Sequence, residues 1–567
     1  MQNPRNIVII GGVAGGMSCA TRLRRLDEFA RITIIEKGPY ISSASCGIPY
    51  ALGGVITDEA KLHVQTVDKI KSWFNVDVMT NTELTSIQRQ RKTAVVRDLL
   101  SGKDSALPYD KLVLAMGAEA AMPSMKGLDD IASGIFVLQT ITDLQNVEKF
   151  IAENNCRRAA VIGGGFIGLE TVENLRKKGL EVALLEYAPH VFPLLDGDLA
   201  VLLDDELRRN QVELKLDARI SEIKRSPSSS SNSTLEISLE GCDPVTADLV
   251  IVAAGVRPRN TIAKAAGLAV GPTGGITVDN LMRTSDPDVY AVGDMVETHN
   301  IVAGRDMPLA LAGPANRQGR LVADVIAGRS VQYRGNVGSS VCRVFGKTAG
   351  LVGFSTERLD RLGLQYEYVT VHPPHHVAWY PGAEAMTMKL GFEVPGGRLL
   401  GLQIVGGEGV DKRVDVVATA MMAGMTAEDL EHLELAYAPP YGAAKDPINM
   451  AGFAAGNVLR GDVRIVHAAD LVNGGRTDLD QFQVVDVRSV DEYSRGHLRG
   501  AVNIPLGELR QRIGELKVDK PVLAYCWVGY RGYVASRILR QGIDTPVFNL
   551  DGGFKVVKEE GYTSLQE

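Results

Sequence analysis

The sequence predicts an α/β protein of several domains. It contains two glycine-rich strand–turn–helix segments, a region of short apolar runs separated by glycines, and a C-terminal segment in which strands and helices alternate. A chain of 567 residues is too long for one hydrophobic core, because domains usually hold about 100–200 residues. We therefore expect about three to five domains.

Composition excludes several classes of protein. No apolar run reaches the roughly 20 residues that cross a bilayer, and no charged-then-apolar leader opens the chain. The formal net charge of -7 gives no overall attraction to nucleic acid. The six cysteines are scattered without a C-x-x-C pair, which fits neither a disulfide framework nor a zinc site. We expect a cytoplasmic protein that binds no membrane, nucleic acid or metal.

Residues 6 to 36 predict a dinucleotide-binding unit, with a buried strand, a glycine turn, a helix and a second strand that ends in an acid. The turn offers backbone N–H groups to a pyrophosphate, and the acid suits a ribose 2′-hydroxyl. The spacing departs from G-x-G-x-x-G, since Val13 stands where the middle glycine belongs. The candidate binding residues are Gly11, Val13, Ala14, Gly16 and Glu36.

The same pattern recurs at residues 159 to 186, where Gly163, Gly165 and Gly168 keep the full spacing and Glu186 closes the second strand. Two such units predict two dinucleotides. The acid favours NADH over NADPH, because it would repel a 2′-phosphate and no arginine follows it in Glu-Tyr-Ala-Pro. The alternative is one functional unit and one decayed copy.

Two further segments complete a recognisable arrangement. PDVYAVGDM, at 287 to 295, predicts a short buried strand that ends in Asp294, and KLVLAMGA, at 111 to 118, carries Gly117. With the two glycine turns, they resemble the two-dinucleotide flavoprotein disulfide reductase superfamily. The resemblance implies that the first unit binds FAD, that Asp294 contacts its ribityl or phosphate region, and that the second unit binds the nicotinamide cofactor.

The resemblance also implies the domain boundaries. The FAD-binding domain is discontinuous in that superfamily, and here it would comprise 1–117 and 255–330, with an NADH-binding domain at 118–254. The run SPSSSSNS, at 226 to 233, then falls inside the NADH-binding domain. Its composition is typical of a flexible surface loop.

Cys46 lies in SSASCGIPY, after the first nucleotide unit. It could be a buried structural cysteine, but the flanking serines, glycine and proline are typical of a turn. The segment resembles the S-F-x-x-C-G-x-P-Y signature of the single-cysteine branch of the superfamily, with Ser43 in place of phenylalanine. That branch contains coenzyme A-disulfide reductases, NADH oxidases and peroxidases, and NADH-dependent persulfide reductases. A lone catalytic cysteine cycles through a mixed disulfide, a persulfide or a sulfenic acid.

The resemblance implies a coenzyme A site near Cys46. Two arginines on one helix face suit phosphates, although a solvated basic face is the alternative. Oxidase and peroxidase members usually keep a histidine early in the first helix, whereas this chain has none before His63, so oxygen chemistry is disfavoured. The positions that match coenzyme A contacts are Ser18, Arg22, Arg25, Ser42, Ser45 and Asn316, with Lys445 further along the chain.

Residues 331–455 predict an antiparallel sheet with hairpin turns, followed by a helix from Val414 to Ala423. This segment resembles the superfamily's dimerisation domain and implies a homodimer. Family members place two tyrosines of the partner subunit near the active sulfur, and these positions match Tyr380 and Tyr437. A phenol could donate a proton to a leaving thiolate, and the alternative is that both tyrosines only pack at an interface.

Residues 462–567 resemble a rhodanese domain over nearly their whole length. The resemblance rests on D-V-R at 486–488, G-H-L-R-G-A at 496–501 and L-D-G-G-F at 550–554. Cys526 opens the loop CWVGYR, whose backbone amides can converge on the sulfur, and Arg531 closes it. The six-residue loop suits sulfane sulfur better than the longer loop of related phosphatases. A decayed, purely structural domain would lack the cysteine.

Together these features predict an α/β fold with two Rossmann-like FAD and NAD(P)H domains, an α+β dimerisation domain and a C-terminal α/β rhodanese domain. The implied activity is NADH-dependent reduction of persulfides or polysulfides, with coenzyme A or a similar small thiol as carrier. The first alternative is a coenzyme A-disulfide reductase with an accessory rhodanese domain. The second is a redox-sensing flavoprotein without turnover.

Overall fold

The computed structural model describes residues 4–128, 133–225, 234–472, 477–517, 519–559 and 561–567. They form two compact units. The first comprises Met1–Tyr187 with Val212–Asn336, and the second comprises Ala188–Gln211 with Val337–Glu567. Among the residues so described, none of the helices combines the length and the apolarity that a membrane span requires.

The strands and helices are numbered along the chain. Up to residue 336 the strands are β1 (Asn6–Ile10), β2 (Arg31–Ile35), β3 (Asp77–Met79), β4 (Thr82–Gln88), β5 (Thr93–Asp98), β6 (Asp104–Pro108), β7 (Lys111–Leu114), β8 (Ala118–Ala120), β9 (Ile135–Phe136), β10 (Arg158–Ile162), β11 (Glu181–Leu185), β12 (Glu213–Lys215), β13 (Ile220–Arg225), β14 (Leu235–Leu239), β15 (Cys242–Ala247), β16 (Leu249–Val252), β17 (Val256–Pro258), β18 (Ile276–Thr277), β19 (Val289–Ala291), β20 (Val296–Asn300) and β21 (Arg305–Pro308). Beyond it they are β22 (Ser340–Val344), β23 (Lys347–Gly353), β24 (Tyr366–Val371), β25 (Thr387–Glu393), β26 (Leu399–Gly406), β27 (Ile465–Val466), β28 (Gln483–Asp486), β29 (Val502–Asn503), β30 (Val522–Tyr525) and β31 (Val547–Leu550). The helices are α1 (Ala14–Arg24), α2 (Ile48–Leu52), α3 (Val67–Phe74), α4 (Ile141–Asn154), α5 (Phe166–Lys177), α6 (Gly197–Arg209), α7 (Thr261–Ala265), α8 (Ala312–Ile326), α9 (Thr356–Leu362), α10 (Val410–Met422), α11 (Pro447–Leu459), α12 (Ala468–Leu471), α13 (Val490–Ser494), α14 (Leu509–Arg512), α15 (Tyr530–Gly542) and α16 (Gly553–Glu559).

The first unit contains a parallel sheet in the order β19-β7-β1-β2-β3. Its central strand β1 reads Asn-Ile-Val-Ile-Ile, and the last four residues are buried. Such a continuous β-branched run is typical of a strand covered on both faces. The chain continues from β1 to β2 on one side and returns as β7 on the other, so the turn after β1 opens at the switch point where such sheets bind ligands.

A second parallel sheet has the order β12-β11-β10-β16-β9. Its central strand β10 ends in buried Ala-Ala-Val-Ile and leads directly into the second glycine turn. The same order of four strands therefore occurs twice, as the repeated sequence pattern predicts, whereas the fifth strand differs, since β19 follows β7 along the chain and β9 precedes β10. Small antiparallel sheets, β4-β5-β6 and β13-β14-β15, accompany the two parallel ones.

Close backbone contacts explain the glycine spacings. A Cβ atom on Gly16 would lie 1.9 Å from the carbonyl oxygen of Gly11, and one on Gly168 would lie 1.9 Å from that of Gly163. Gly11 and Gly163 adopt φ values of 103° and 104°, a region that residues with a Cβ rarely occupy. Only glycine lets each helix begin this close to its strand.

A further close glycine contact joins helices α1 and α8. Helix α8 packs on α1 so closely that a Cβ atom on Gly319 would lie 2.0 Å from the carbonyl oxygen of Gly15. This contact brings the residues of α8 beside the turn that follows β1.

The second unit contains an antiparallel sheet in the order β22-β23-β26-β25-β24. Helix α10 lies on it, since a Cβ atom on Gly350 of β23 would lie 2.6 Å from Val414 Cγ2. The predicted helix from Val414 to Ala423 is present but begins four residues earlier, at Val410. The earlier start follows Gly409, the N-cap, whose φ is 74°.

The C-terminal part of this unit is a parallel sheet in the order β27-β31-β30-β28-β29. Its core holds an arginine: Arg488 is 2% exposed and donates to both carboxylate oxygens of Asp486 at 3.0 and 2.9 Å. The guanidinium also lies 4.5 Å from the ring of Phe554. The D-V-R and L-D-G-G-F segments therefore meet in the core, and a buried charge of this kind requires such partners.

Two details predicted from the sequence differ from the structure or fall outside it. The strand in PDVYAVGDM ends at Ala291, three residues before Asp294, because Gly293 leaves the extended conformation with a φ of 81°. The run SPSSSSNS, predicted to be a surface loop, lies outside the described residues.

We predict that Gly168→Ala destabilises the second glycine turn, because the new Cβ would overlap the carbonyl oxygen of Gly163. The expected loss is about 3 kcal/mol in the free energy of unfolding, measured by denaturant titration. Gly165→Ala is the control, since a Cβ on Gly165 would have no described atom within 4 Å. Equal stability of the two variants would contradict the close-contact explanation.

Candidate active site

The two glycine turns end in the same contact. The backbone N–H of Gly12 donates to Glu36 Oε2 at 2.8 Å, and that of Gly164 donates to Glu186 Oε2 at 2.5 Å. Both glutamates stand one residue beyond the second strand of their unit. A carboxylate is an acceptor only, so it suits ribose hydroxyls and repels a phosphate.

Both turns present a helix N-terminus to the ligand side. Helix α1 begins at Ala14 after the N-cap Val13, and α5 begins at Phe166 after the N-cap Gly165; neither cap makes a side-chain hydrogen bond to its helix. The N-terminus of a helix attracts a pyrophosphate through its backbone N–H groups and its dipole. Val13 has a φ of -108°, which any residue adopts, and this explains why valine is tolerated in place of the middle glycine.

Asp294 and Gly117 lie near the carboxyl edge of the first sheet. Asp294 follows Gly293, whose N–H donates to Gln318 Oε1 at 2.8 Å, and burial raises the pKa of Asp294 above its ordinary value. Gly117, just past β7, has a φ of 65°, and its carbonyl oxygen accepts from the Arg259 N–H at 3.1 Å. A half-buried acid at the carboxyl edge of the sheet that carries the first glycine turn fits a ligand with both hydroxyls and phosphates, as FAD has.

Cys46 lies in the 3-10 turn Ser45–Gly47 and is exposed. The loop before it is fixed to the first glycine turn, since the N–H of Ser42 donates to the carbonyl oxygen of Gly12 at 2.7 Å. Ser42 has a φ of 48°, so the chain turns sharply at this contact. The structure therefore anchors the loop that carries Cys46 to the first glycine turn, and Cys46 itself is exposed.

The segment after Cys46 packs on the second nucleotide unit. Tyr50, in α2, donates its hydroxyl to Glu170 Oε1 of α5 at 3.0 Å, and a Cβ on Gly53 would lie 2.3 Å from Asn174 Oδ1. Burial raises the pKa of Glu170. Sequence reasoning missed this pair, although an acid two residues after the third glycine, on the inner part of a helix, is a signal that could have indicated it.

Four of the predicted coenzyme A contacts lie on α1 and α8. Ser18 Oγ lies 2.6 Å from Asn316 Oδ1, so the fold joins two candidates that are 298 positions apart. Arg22 is paired with Asp324 at 2.8 Å, a partner that sequence reasoning missed. Arg25, at the end of α1, is exposed. Ser42 and Ser45, the other two candidates of this unit, belong to the Cys46 loop.

The remaining candidates of this group lie in the second unit. Tyr380 and Tyr437 are 37% and 46% exposed, and Lys445 is exposed as well. The ring of Tyr380 meets that of buried His376 edge to face at 5.4 Å. The two loops that carry the tyrosines are joined, because the Val377 N–H donates to the carbonyl oxygen of Gly442 at 3.0 Å.

A buried ion pair fixes the same two loops. Arg413, 1% exposed, donates to the carbonyl oxygen of His375 at 3.0 Å and to Asp446 Oδ2 at 2.8 Å. Asp446 follows Lys445 and also caps α11 through the N–H of Ile448. Sequence reasoning missed this pair; an Asp-Pro start before an apolar helix identifies the cap but not its arginine partner.

Cys526 follows β30 directly and is buried. Its loop turns at Gly529, with a φ of 89°, and ends where α15 begins at Tyr530. The L-D-G-G-F segment closes over the loop, since the N–H of Phe554 donates to the carbonyl oxygen of Cys526 at 2.8 Å. A Cβ atom on Gly553 would lie 2.6 Å from that same oxygen, so glycine is required there.

Arg531 is held by a carboxylate that sequence reasoning missed. Its two terminal nitrogens contact Glu492 at 2.8 and 2.6 Å, and these hydrogen bonds are the main cause that lowers the pKa of Glu492 to about 2. Glu492 is fixed in turn by a capping box with Ser489 at the start of α13. The pKa of Arg531 is raised, first by Glu492 and also by the neighbouring Cys526. The S-x-x-E spacing in Ser-Val-Asp-Glu is a signal that could have indicated this cap, but it gives no indication of the contact with Arg531.

Comparison with family models decides the class of the protein. The model of the pyridine nucleotide-disulphide oxidoreductases matches residues 5–319, more than half of the chain. The chain belongs to this family. The model of the family's dimerisation domain matches 340–446, and that of the rhodanese-like domain matches 468–560.

Curated relatives of this oxidoreductase include coenzyme A disulfide reductases of staphylococci. The protein of Staphylococcus haemolyticus is 31% identical over 452 residues, which are 80% of this chain and 99% of the relative. The protein of Staphylococcus aureus strain RF122 is 32% identical over 450 residues, 79% of this chain and 99% of the relative. The aligned lengths match the part of the oxidoreductase that precedes its rhodanese domain.

Two solved structures match nearly the whole chain. Reduced CoADR-RHD from Bacillus anthracis superimposes with a TM-score of 0.94 and 40% identity, over 99% of both chains. An NAD-dependent persulfide reductase from A. fulgidus superimposes with a TM-score of 0.88 and 35% identity, over 97% of this chain and 99% of that one. The family and the fold class predicted from the sequence are therefore confirmed, including the rhodanese domain. The domain boundaries and the roles of individual site residues stay predictions.

We predict that Glu492→Gln slows sulfur transfer from Cys526 about tenfold, because Arg531 loses its charged partner and moves from the sulfur. The rate would be measured in the full chain with cyanide as the sulfur acceptor. Glu508→Gln is the control, since it breaks the exposed Glu508–Arg512 pair of the same domain. Equal rates in the two variants would exclude a positioning role for Glu492.

Proposed function

We propose that the protein is an NADH-dependent, FAD-containing reductase of persulfides and polysulfides, with coenzyme A persulfide or a similar small-thiol persulfide as its substrate. One observation carries the proposal. The chain joins an exposed cysteine beside a nucleotide turn, Cys46, to a buried cysteine in an arginine-closed rhodanese loop, Cys526. The name of the A. fulgidus relative, a persulfide reductase that matches both parts, supports the same function.

The residues of the first unit are suited to two nucleotides. In the proposal, FAD is held by the turn from Gly11 to Gly16, with Glu36 at its ribose and Asp294 near its ribityl chain or phosphates. The turn from Gly163 to Gly168 holds NADH, with Glu186 at its ribose. When bound, these groups supply the two electrons for the reduction. The contact between Ser42 and Gly12 keeps the Cys46 loop in place beside the first turn.

The coenzyme A site is proposed at the exposed face of α1 beside Cys46. Ser18 and Asn316 already contact each other there, and they offer a hydroxyl and an amide to the ligand. Arg25 provides an exposed cation, while Arg22 shares its charge with Asp324. Phosphates would bind Arg25 directly and compete with Asp324 for Arg22.

We further propose a homodimer, in which the second subunit completes this site. Its support is the matched dimerisation domain and the exposure of Tyr380, Tyr437 and Lys445 in a single chain. In the dimer these three side chains would reach the Cys46 site of the partner. A tyrosine hydroxyl there would donate a proton to the departing thiolate, and the lysine would bind a phosphate.

The proposed sulfur chemistry balances as RSSH + NADH + H⁺ → RSH + H₂S + NAD⁺. Cys526 accepts sulfane sulfur and passes it to the small thiol RSH, which becomes RSSH. The Cys46 thiolate then attacks the persulfide and breaks its S–S bond, so that either hydrosulfide or the thiol leaves while Cys46 keeps the other sulfur. Two electrons from NADH cleave the new S–S bond at Cys46, and protons complete the second product and restore the thiol.

Coenzyme A-disulfide reduction is the second candidate. It is favoured by the staphylococcal relatives, which carry that name and align with about four-fifths of this chain. In this case Cys46 would form a mixed disulfide with one coenzyme A and release the other. The rhodanese domain would then be accessory.

Cysteine variants separate these functions. We predict that Cys526→Ser reduces polysulfide-dependent NADH oxidation and sulfide release about tenfold or more, and leaves NADH-dependent reduction of coenzyme A disulfide unchanged. Cys46→Ser should abolish both reactions. Cys242→Ser is the control, since Cys242 is exposed but lies in strand β15, which belongs to neither sulfur site. Unchanged polysulfide reduction in Cys526→Ser would contradict the relay through Cys526 and favour the second candidate.

Mass spectrometry tests the carrier. The protein purified without a reductant should release coenzyme A when dithiothreitol is added, and Cys46→Ser should release none. Release of an equal amount from both proteins would contradict a mixed disulfide at Cys46.

A further inference from the structure

We propose that His467 is a positioning residue for the Cys526 loop, which it holds against the dimerisation sheet through Asp551. This inference rests on the proposed role of Cys526 in sulfur transfer. The three side chains of Glu367, His467 and Asp551 are called the clasp below. Glu367 lies on β24 of the dimerisation sheet, and Asp551 belongs to the L-D-G-G-F segment of the rhodanese domain.

His467 lies between the two carboxylates of the clasp. Its Nε2 is 2.8 Å from Glu367 Oε1, and its Nδ1 is 3.4 Å from Asp551 Oδ2. The imidazole stacks on Tyr368 of β24, with ring centroids 3.7 Å apart and planes 16° from parallel. The side chain is 11% exposed. A histidine in the first strand-to-helix connection of one domain is thus enclosed by the edge strand of another.

Asp551 also binds the backbone of that edge strand. The N–H of Thr370 donates to both carboxylate oxygens, at 3.1 and 2.9 Å. An edge strand has backbone groups without a partner strand, and Asp551 accepts one of them. Next to it, His372 Nε2–H donates to the carbonyl oxygen of Gly552 at 3.1 Å. Burial, and then Lys555, lower the pKa of His372 to about 3, so this second histidine is neutral.

The contacts continue from Asp551 along the L-D-G-G-F segment to the backbone of the Cys526 loop. The N–H groups of Phe554 and Lys555 donate to the carbonyl oxygens of Cys526 and Trp527, at 2.8 and 2.9 Å. A Cβ atom on Gly553 would lie 2.6 Å from the backbone nitrogen of Gly529. Because the segment touches the loop through backbone atoms on both sides, a displacement of Asp551 moves the loop with it.

Charge strengthens the clasp at neutral pH. Burial alone would lower the pKa of His467, but the carboxylates of Asp551 and Glu367 outweigh it and raise the pKa to about 9. Two lysines also belong to the elements packed around the clasp: Lys389, whose Nζ lies 4.8 Å from the Tyr368 ring, and Lys555, whose Nζ lies 3.3 Å from His372 Nδ1. The two carboxylates that contact the imidazole are the groups that favour its charged form.

The direction of the pH effect follows from linkage. A folded-state pKa raised above the ordinary value of about 6.5 means that the charged form stabilises the clasp. This stabilisation is complete below the unfolded pKa and is lost as the pH rises through about 9. The Cys526 loop should then loosen from the dimerisation sheet while the rest of the rhodanese domain stays folded.

His467→Gln tests the proposal in the full-length holoenzyme. We expect hydrogen exchange of the peptide that covers 547–556 to accelerate about tenfold, and sulfur transfer from Cys526 to cyanide to slow about tenfold at pH 7.5. NADH-dependent reduction of coenzyme A disulfide, which uses Cys46, should not change. Asp551→Asn keeps an acceptor for Thr370 but removes the charge, so its effects should have the same direction and be smaller.

The control is His497→Gln. His497 stacks on Tyr493 at 3.8 Å and 16° and lies 3.8 Å from Glu567, so it matches His467 in its contacts, but all of its partners are in the rhodanese domain. This variant should leave exchange at 547–556 at the wild-type rate. In the wild type, sulfur transfer should fall as the pH passes 9, and in His467→Gln this fall should be absent.

The outcomes separate the clasp from the proposed function. Unchanged exchange at 547–556 in His467→Gln, or an equal change in His497→Gln, would overturn the clasp. Faster exchange with unchanged sulfur transfer would overturn the positioning role. If wild-type Cys526 transfers no sulfur, the proposed relay fails, whereas the exchange measurement still decides whether His467 fixes the loop.

Discussion

The contact between a helix start and the end of its strand is the constraint on which the first unit depends. In both glycine turns, a Cβ atom on the last glycine would lie only 1.9 Å from the carbonyl oxygen of the first glycine. This approach brings the N-terminus of each helix to the turn that ends its strand. The Cys46 loop is fixed to that turn by the hydrogen bond between Ser42 and Gly12, so the loop that carries the candidate cysteine is anchored by the same turn that is suited to a nucleotide.

The sequence was sufficient to predict those features that depend on residues close together in the chain. Glycine spacing, the acids after the second strands and the Cys526 loop follow short patterns, and each is present in the structure. In the first turn, Val13 stands where the glycine pattern has its middle glycine. The backbone at Val13 needs no positive φ, so a residue with a side chain can occupy this position. The strand before Asp294 ends earlier than predicted, because Gly293 adopts a positive φ and turns the chain there.

The partners that reasoning missed are all long-range. Glu170, Asp324, Arg413 and Glu492 each bind a side chain or loop from a distant part of the chain. A charged residue in a helix gives no indication of which distant group it meets, because many pairings satisfy the same pattern. The resemblance to a family assigned Ser18 and Asn316 to one site, but only the structure shows that Ser18 Oγ lies 2.6 Å from Asn316 Oδ1. The clasp around His467 depends in the same way on two domains meeting along one edge strand.

The glutamate at the second turn has a consequence for any attempt to redesign coenzyme preference. The carboxylate of Glu186 would repel a 2′-phosphate, and the same carboxylate accepts the N–H of Gly164 at 2.5 Å. Replacing it by a small or basic residue would change selectivity and also leave a turn amide without its acceptor. A successful switch to the phosphorylated coenzyme would therefore require a second substitution that supplies a new acceptor to the turn, and selection acting on coenzyme choice would meet the same coupling.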